Sequence, residues 1–403
     1  MSDRPDILLV VFDSLSAHDL CLHLDDLPTL RGLMDDSLNY TNAYTCCPES
    51  SPSRASLMTG LDIGVHGLWT DGVTLSSRET TVSEAFAAQG YQTWLVGRRQ
   101  LAGVSNWTTE HARRLEYRTF DWAHGPLHRS RQNAYLTWLQ AQAPDAYAAI
   151  FPRQPDPDDT AIPNEQRQAM MSLPDALSFN AWVAEQALSQ IGEASFFGIA
   201  GFVVGQTLGA GPAPVEALDL QSLRQADAGL ARVLKCLHKD TVVVVTAGRG
   251  SVASKDAADV LREPAVKVPL LVRTDKTHAM AVDGIVSTMD VAATFYGLAG
   301  MQPPQRVQGT SLISAPPRGW ALSRMRNPSL PEQTALRAEQ WKLVVTHGSP
   351  DATRLFDLGT DPQETKNLAK SADHLDRLET MLDLMIDARV ALEDRLEPRI
   401  AKF

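Results

Sequence analysis

DILLVVF, residues 6–12, is an uninterrupted β-rich apolar run, and such a run suits a parallel strand covered on both faces. YQTWLVG (91–97), SFFGIAGFVVG (195–205), TVVVVTA (241–247) and VPLLVR (268–273) have the same character. Helical patterns lie among them: TVSEAFAAQG (81–90), ALSFNAWVAEQALSQI (176–191), LQSLRQADAGLARVLKCLHK (220–239) and MDVAATFYGLAG (289–300). Strands alternating with helices predict an α/β fold, with a large mixed, mostly parallel sheet flanked by helices on both faces. Ligands of such sheets gather beyond the carboxyl ends of the strands. The residues that follow each strand therefore carry the most weight: Asp13, Arg98 to Gln100, Gln206, Gly248 and Arg249.

A chain of 403 residues is long enough for one large α/β body with an appendage. The body is expected over 1–315, with an insertion or loop at about 124–175 that holds the Pro- and Asp-rich PRQPDPDDTAIPN (152–164). Pro316 and Pro317 mark a break before a small C-terminal α+β subdomain, 316–403. In it, ALRAEQWKLVV and RLFDL read as two short strands and the stretch from about 371 to 396 as a helix. The net charge of −11 argues against nucleic acid as a partner, since a phosphate backbone needs a basic face. No apolar stretch reaches about 18 residues, so no membrane span is expected. The N-terminal run lacks the basic flank and cleavage site of a signal peptide, and reads as a buried strand. Cys21, Cys46, Cys47 and Cys236 form neither a zinc spacing nor a disulfide framework, which points to a reducing cytoplasm.

Residues 41–60 read TNAYTCCPESSPSRASLMTG. The core from Ser50 through Pro52 and Arg54 to Thr59 and Gly60 resembles the signature of the sulfatase family, within the alkaline phosphatase superfamily. In that family the first signature residue is oxidised to formylglycine, whose hydrated aldehyde is the nucleophile. Only Ser50 stands four residues before Arg54, so neither Cys46 nor Cys47 is in frame. The resemblance runs along nearly the whole chain. RPDILLVVFDSLS resembles the opening strand that delivers a metal-binding Asp, here Asp13, and QADAGLARVLKCLHKDTVVVVTAGRG resembles the segment before the last metal ligands. REPAVKVPLLVR, IVSTMDVAATFYGLAGMQPP and QGTSL match the following strand, helix and loop, and RLFDLGTDPQETKNLA the tail.

Against the family pattern the metal site is largely lost. The first acidic segment keeps Asp13 but continues with Ser14, and the family's Thr-x-Asp-His-Gly reads Thr246-Ala247-Gly248-Arg249-Gly250. A hard dication takes roughly six to eight oxygen ligands, and one Asp beside a permanent cation is a poor start on that number. Gly-Lys-Trp-His becomes Gly97-Arg98-Arg99-Gln100, so the anion-contacting Lys is replaced by Arg98 and the proton-donating His by Gln100. The family's later Lys falls near Ala258, with Lys255 a looser match. The resemblance thus implies Ser50, Arg54 and Arg98 as catalytic positions, Arg249 and Gln100 as ligand-binding, and Asp13 as a vestigial metal position.

The expectation is a sulfatase-like protein with impaired catalysis that binds a small anionic ligand, a sulfate or phosphate ester, or else a protein partner. The alternative is an active sulfate or phosphate ester hydrolase with rewired residues. No cofactor is expected on the first reading, and Ca2+ or Mg2+ on the second; homo-oligomer formation is left open. Of the remaining residues, His66 is expected as a polar loop residue, Asp62 as a surface acid, Asp25, Asp26, Asp35 and Asp36 as a solvated face, and Asp227 as a structural anchor.

Overall fold

The computed structural model describes residues 4–97, 101, 118–121, 134–152, 164–208, 215–251, 260–276, 278–349 and 352–392. Fifteen strands are found there: β1 (Ile7–Asp13), β2 (Leu38–Tyr44), β3 (Gln92–Gly97), β4 (Arg118–Asp121), β5 (Phe196–Val203), β6 (Gly205–Leu208), β7 (Val215–Leu218), β8 (Val242–Ala247), β9 (Lys267–Val268), β10 (Leu270–Arg273), β11 (Met280–Ser287), β12 (Trp320–Met325), β13 (Gln333–Ala338), β14 (Trp341–Thr346) and β15 (Arg354–Asp357). The main sheet has the order β11-β2-β10-β8-β1-β5-β3-β4, with β9 paired to β2.

β1 lies at the centre, parallel to β5 on one side and β8 on the other, with Ile7 opposite Phe197 and Val242. All seven of its residues are buried, and its alternating side chains enter two different cores. Leu8, Val10 and Phe12 join Trp182, Val183, Leu223 and Leu230 on one face. Ile7, Leu9 and Val11 join Ala55, Phe86, Val291 and Phe295 on the other. Period-two alternation with both faces apolar is what a continuous hydrophobic run encodes.

The fold class read from the sequence holds, with local corrections. VPLLVR is not a further parallel strand: β10 runs antiparallel to both β8 and β2. Two main-sheet strands, β2 and β11, carry polar residues and half-buried positions that hide them from a search for apolar runs. Within the insertion or loop expected at about 124–175, the described residues form helices at Ala134–Gln142, Pro144–Ile150 and Asn164–Met171, and Tyr135, Leu136 and Leu139 reach the core. In the tail, ALRAEQWKLVV is two strands rather than one, because Glu339 takes a positive φ of 47° and turns β13 back onto β14. With β12 and β15 these make a four-stranded antiparallel sheet. The helix Leu375–Ala391 covers it through Met381, Met385 and Ala388, and the same core takes in Cys46, Cys47 and Ile63 from the signature region.

Candidate active site

Three of the parallel strands deliver the residues that matter. β1 ends at Asp13, and the chain turns sharply there because Ser14, fully buried, adopts a left-handed φ of 62°. A serine in that region is uncommon and is held only where its surroundings over-determine it. β8 ends at Ala247, and the next amide, Gly248 N, donates to Phe12 O at 3.0 Å, which ties the two strand ends together. β3 ends at Gly97, whose φ of 109° and close approach to Gly201 admit no side chain: a Cβ there would lie 2.4 Å from Gly201 O.

The signature residues form a helix, Ser50–Thr59, every residue of which is buried. Its start is organised by acids. Ser51 N donates to Asp71 Oδ1 at 2.7 Å, Asp71 N donates to Glu49 Oε2 at 3.0 Å, and Asn327 Nδ2 donates to Glu49 Oε1 at 2.6 Å. Carboxylates at a helix N-terminus are favoured by the unpaired amides and the dipole. Burial, then the neighbouring Asp71, pushes the Glu49 carboxyl above its ordinary pKa. The helix stops at Gly60, which takes a left-handed φ of 69° and donates to Ser56 O at 2.8 Å.

This helix lies against the strand ends. A Cβ on Gly248 would sit 3.3 Å from Ser53 Oγ, and Thr45 Oγ1 donates to Gly248 O at 2.8 Å. Arg54, 1% exposed, places its guanidinium 3.6 Å from Asp13 Oδ1. Ser50 is buried at the head of the same helix, and Arg249 is 9% exposed as a residue, so it does not project freely into solvent. Beyond it, Ser251 Oγ donates to Asp19 Oδ2 at 2.6 Å, and Ser16 Oγ donates to the same oxygen at 2.7 Å. Ser50, Arg54, Asp13 and the Gly248–Arg249 turn therefore meet at one end of the sheet. Arg98 and Gln100 lie outside the described residues, as do Lys255 and Ala258.

A calcium-type ion does not fit this donor set. Asp13 faces the Arg54 cation, Gly248 has no side-chain donor and its carbonyl already accepts from Thr45, and Arg249 adds a second positive charge. Among the described residues, no three His, Cys, Asp or Glu side chains form a group able to hold a metal. The neighbouring thiols are no substitute. Cys46 and Cys47 are fully buried, and burial pushes the Cys46 thiol up to about 11 and that of Cys47 well above its ordinary value.

Two residues near the signature differ from expectation. Asp62 is not a surface acid. It is 1% exposed, accepts from Gly64 N at 2.8 Å to cap the helix Ile63–His66, and pairs with Arg324 from β12. His66 is not a loop residue: it is buried in that helix, with Nε2 3.0 Å from Ser56 Oγ and Nδ1 accepting from Leu68 N at 3.1 Å. Asp227 does anchor, accepting from Thr29 N at 3.1 Å and Leu30 N at 2.8 Å. Glu49, Asp71 and Asn327 were not anticipated. Glu49 could have been noticed beside Ser50, but nothing local marks positions 71 and 327 as its neighbours.

A sequence profile of the Sulfatase family matches residues 5–301. The chain belongs to the sulfatase family. Curated relatives of this sulfatase-family protein include Arylsulfatase K of Bos taurus, 23% identical over 91% of this chain and 78% of that protein. An ulvan-active sulfatase of Formosa agariphila is 25% identical over 92% of this chain and 78% of its own. Among solved structures, a phosphonate monoester hydrolase from Silicibacter pomeroyi superposes with a TM-score of 0.75 at 19% identity, covering 97% of this chain and 96% of that one. At that identity the superposition speaks to the alkaline-phosphatase-like fold, and function rests on the residues present.

Proposed function

We propose that this sulfatase-family protein binds a small sulfate- or phosphate-type anion without a divalent metal, and hydrolyses sulfate esters slowly or not at all. The observation that carries the reading is the Arg54–Asp13 contact of 3.6 Å, a buried guanidinium facing the one acidic residue of the family's metal frame, with Gly248 and Arg249 beside it. Sulfate-ester cleavage draws on a metal to stabilise the nucleophile and the charge on the transferred group, and on an acid for the leaving alcohol. Guanidinium forks suit a tetrahedral oxyanion without either. The four cysteines are all unpaired, in keeping with the cytoplasmic setting that belongs to the same proposal.

The test combines elemental analysis with thermal melts in sodium sulfate and sodium chloride at matched ionic strength, on wild type and Arg249→Ala. The expected result is less than one divalent ion per chain, no shift with EDTA, and a sulfate-dependent stabilisation of wild type that Arg249→Ala reduces. A hundredfold excess of sulfate over its dissociation constant stabilises by about 2.7 kcal/mol. A stoichiometric calcium or magnesium ion would refute the metal-free reading and restore the active-hydrolase alternative. Equal sulfate responses in the two proteins would remove Arg249 from the site.

A further inference from the structure

Beside the candidate active site, a cavity of about 710 Å³ opens between the main sheet and the four-stranded C-terminal sheet, lined in part by His18, Asn42, Glu263, Lys267, Arg337 and Glu339. A volume of that order is typical of small-molecule sites. Two of the lining residues are cations with only neutral hydrogen-bond partners. Lys267 Nζ donates to Asn42 Oδ1 at 3.0 Å. Arg337, 9% exposed, donates through Nε to Tyr44 Oη at 2.9 Å and through NH1 to the carbonyls of Glu339 and Trp341. Among the described residues neither cation has a carboxylate within ion-pair distance.

The acids nearby are engaged elsewhere. Glu263 accepts from Lys342 Nζ at 3.1 Å and from Tyr44 Oη at 2.8 Å, and Lys342 in turn pairs with Glu364 at 2.8 Å, which also faces Arg262 at 3.7 Å. The side chain of Glu339 is 74% exposed and faces Arg377 at 3.8 Å. Among the described residues, Lys267 and Arg337 therefore line the cavity without an ion-pair partner, while Glu263 is held by Lys342 and Glu339 faces Arg377, in a partly dehydrated seam where charge is weakly screened. Two cations that line an open cavity without an ion-pair partner are relieved by an anion between them.

We propose that this cavity is a second anion site, which takes a small organic molecule through an oxyanion group, carboxylate or phosphate, received by the Lys267 ammonium and the Arg337 guanidinium. Arg337 offers planar donors and Lys267 a compact point charge, a pairing that suits a charged terminal group rather than a neutral sugar or amide. The site is separate from the one at Ser50, Arg54 and Arg249 but shares a wall with it. Thr45 N donates to Val266 O at 2.9 Å, one residue from Lys267, and Gly250 N donates to Ala265 O at 2.9 Å. Burial holds the Lys267 pKa below its ordinary value, with Glu263 opposing that shift and Arg337 adding to it. An anion seated against the Lys267 ammonium would favour its charged form and cover it, and both effects slow its reaction with an electrophile.

Trace labelling with an amine-reactive reagent, read by mass spectrometry on the full chain, tests the assignment. Inorganic phosphate and citrate are the probes, against sodium chloride at matched ionic strength, with exposed Lys235 as the internal control. Phosphate, citrate or both should slow labelling of Lys267 at least fivefold and leave Lys235 unchanged, and the arm that protects identifies the anion class. The protection should persist in Arg249→Ala, which separates it from the proposed active-site function. In a Lys267→Gln, Arg249→Ala background, the remaining anion-dependent rise in melting temperature should disappear. Unchanged labelling of Lys267 with both probes, or equal slowing of Lys267 and Lys235, would overturn the proposal.

Discussion

His66 has its tautomer assigned by its neighbours: Nδ1 accepts from the Leu68 amide, so the proton sits on Nε2 and faces Ser56 Oγ. A second proton has no acceptor at Nδ1, and burial pushes the pKa from the ordinary 6.5 down to about 3. The unfolded chain binds that proton below pH 6.5 and the native state only near pH 3, so stability from this group is complete above 6.5 and declines as pH falls through the interval. The slope is about 1.4 kcal/mol per pH unit, and the accumulated loss between pH 7 and pH 5 is about 2 kcal/mol. Urea unfolding of wild type and His66→Gln at pH 7, 6 and 5 isolates it, because every other titrating group is common to both proteins. Glutamine gives up some packing and lowers stability at pH 7, but it does not titrate. The gap between the two proteins should therefore narrow by about 2 kcal/mol from pH 7 to pH 5. Parallel pH profiles would show that His66 keeps an ordinary pKa and that the tautomer argument is wrong.

Asp62→Ala removes a helix cap and strands Arg324, whose side chain is 13% exposed, so a loss of about 3–5 kcal/mol is expected in denaturant titrations. A loss below about 1 kcal/mol would mean that the pair is solvated like a surface bridge. Gly248→Asp meets only Ser53 Oγ at 3.3 Å, so the variant should fold, but its carboxylate would compete with an incoming anion. Its sulfate-dependent rise in melting temperature should vanish; an undiminished rise would place the anion elsewhere.

Much of this architecture is written in short apolar segments. β1, β5 and β8 are legible because a strand buried on both faces needs an unbroken run of large aliphatic residues, and few other structures do. β2 escapes because Asn39, Thr41 and Asn42 remain half-buried, and Asn42 supplies an acceptor to Lys267 instead of packing in a core. The relative direction of β10 escapes because an apolar run carries no sign for parallel or antiparallel pairing. At the site, Ser50, Arg54 and the Gly248–Arg249 turn could be placed by frame because the signature and the strand ends are contiguous in sequence. The environments of Asp62 and His66 could not, since the first depends on Arg324 more than 250 residues away and the second on how a short helix folds back over Ser56. Lys267 gave no signal at all: a lone lysine in a two-residue strand is ordinary until Arg337 arrives beside it from the other sheet.

The central position of β1 has a consequence for how the protein is made. This strand leaves the ribosome well before its partners, Phe197 to Val203 and Val242 to Ala247. At 5–20 residues per second, roughly 10–40 s separate synthesis of Ile7 from completion of its first partner, β5. Throughout that interval ILLVVF is an unpaired, uncharged β-forming hexamer of the kind that self-associates. Arg4, Asp6 and Asp13 flank it closely and serve as gatekeepers, so a charge-removing change at any of them would first show as lost soluble yield during translation, before any effect on the finished fold.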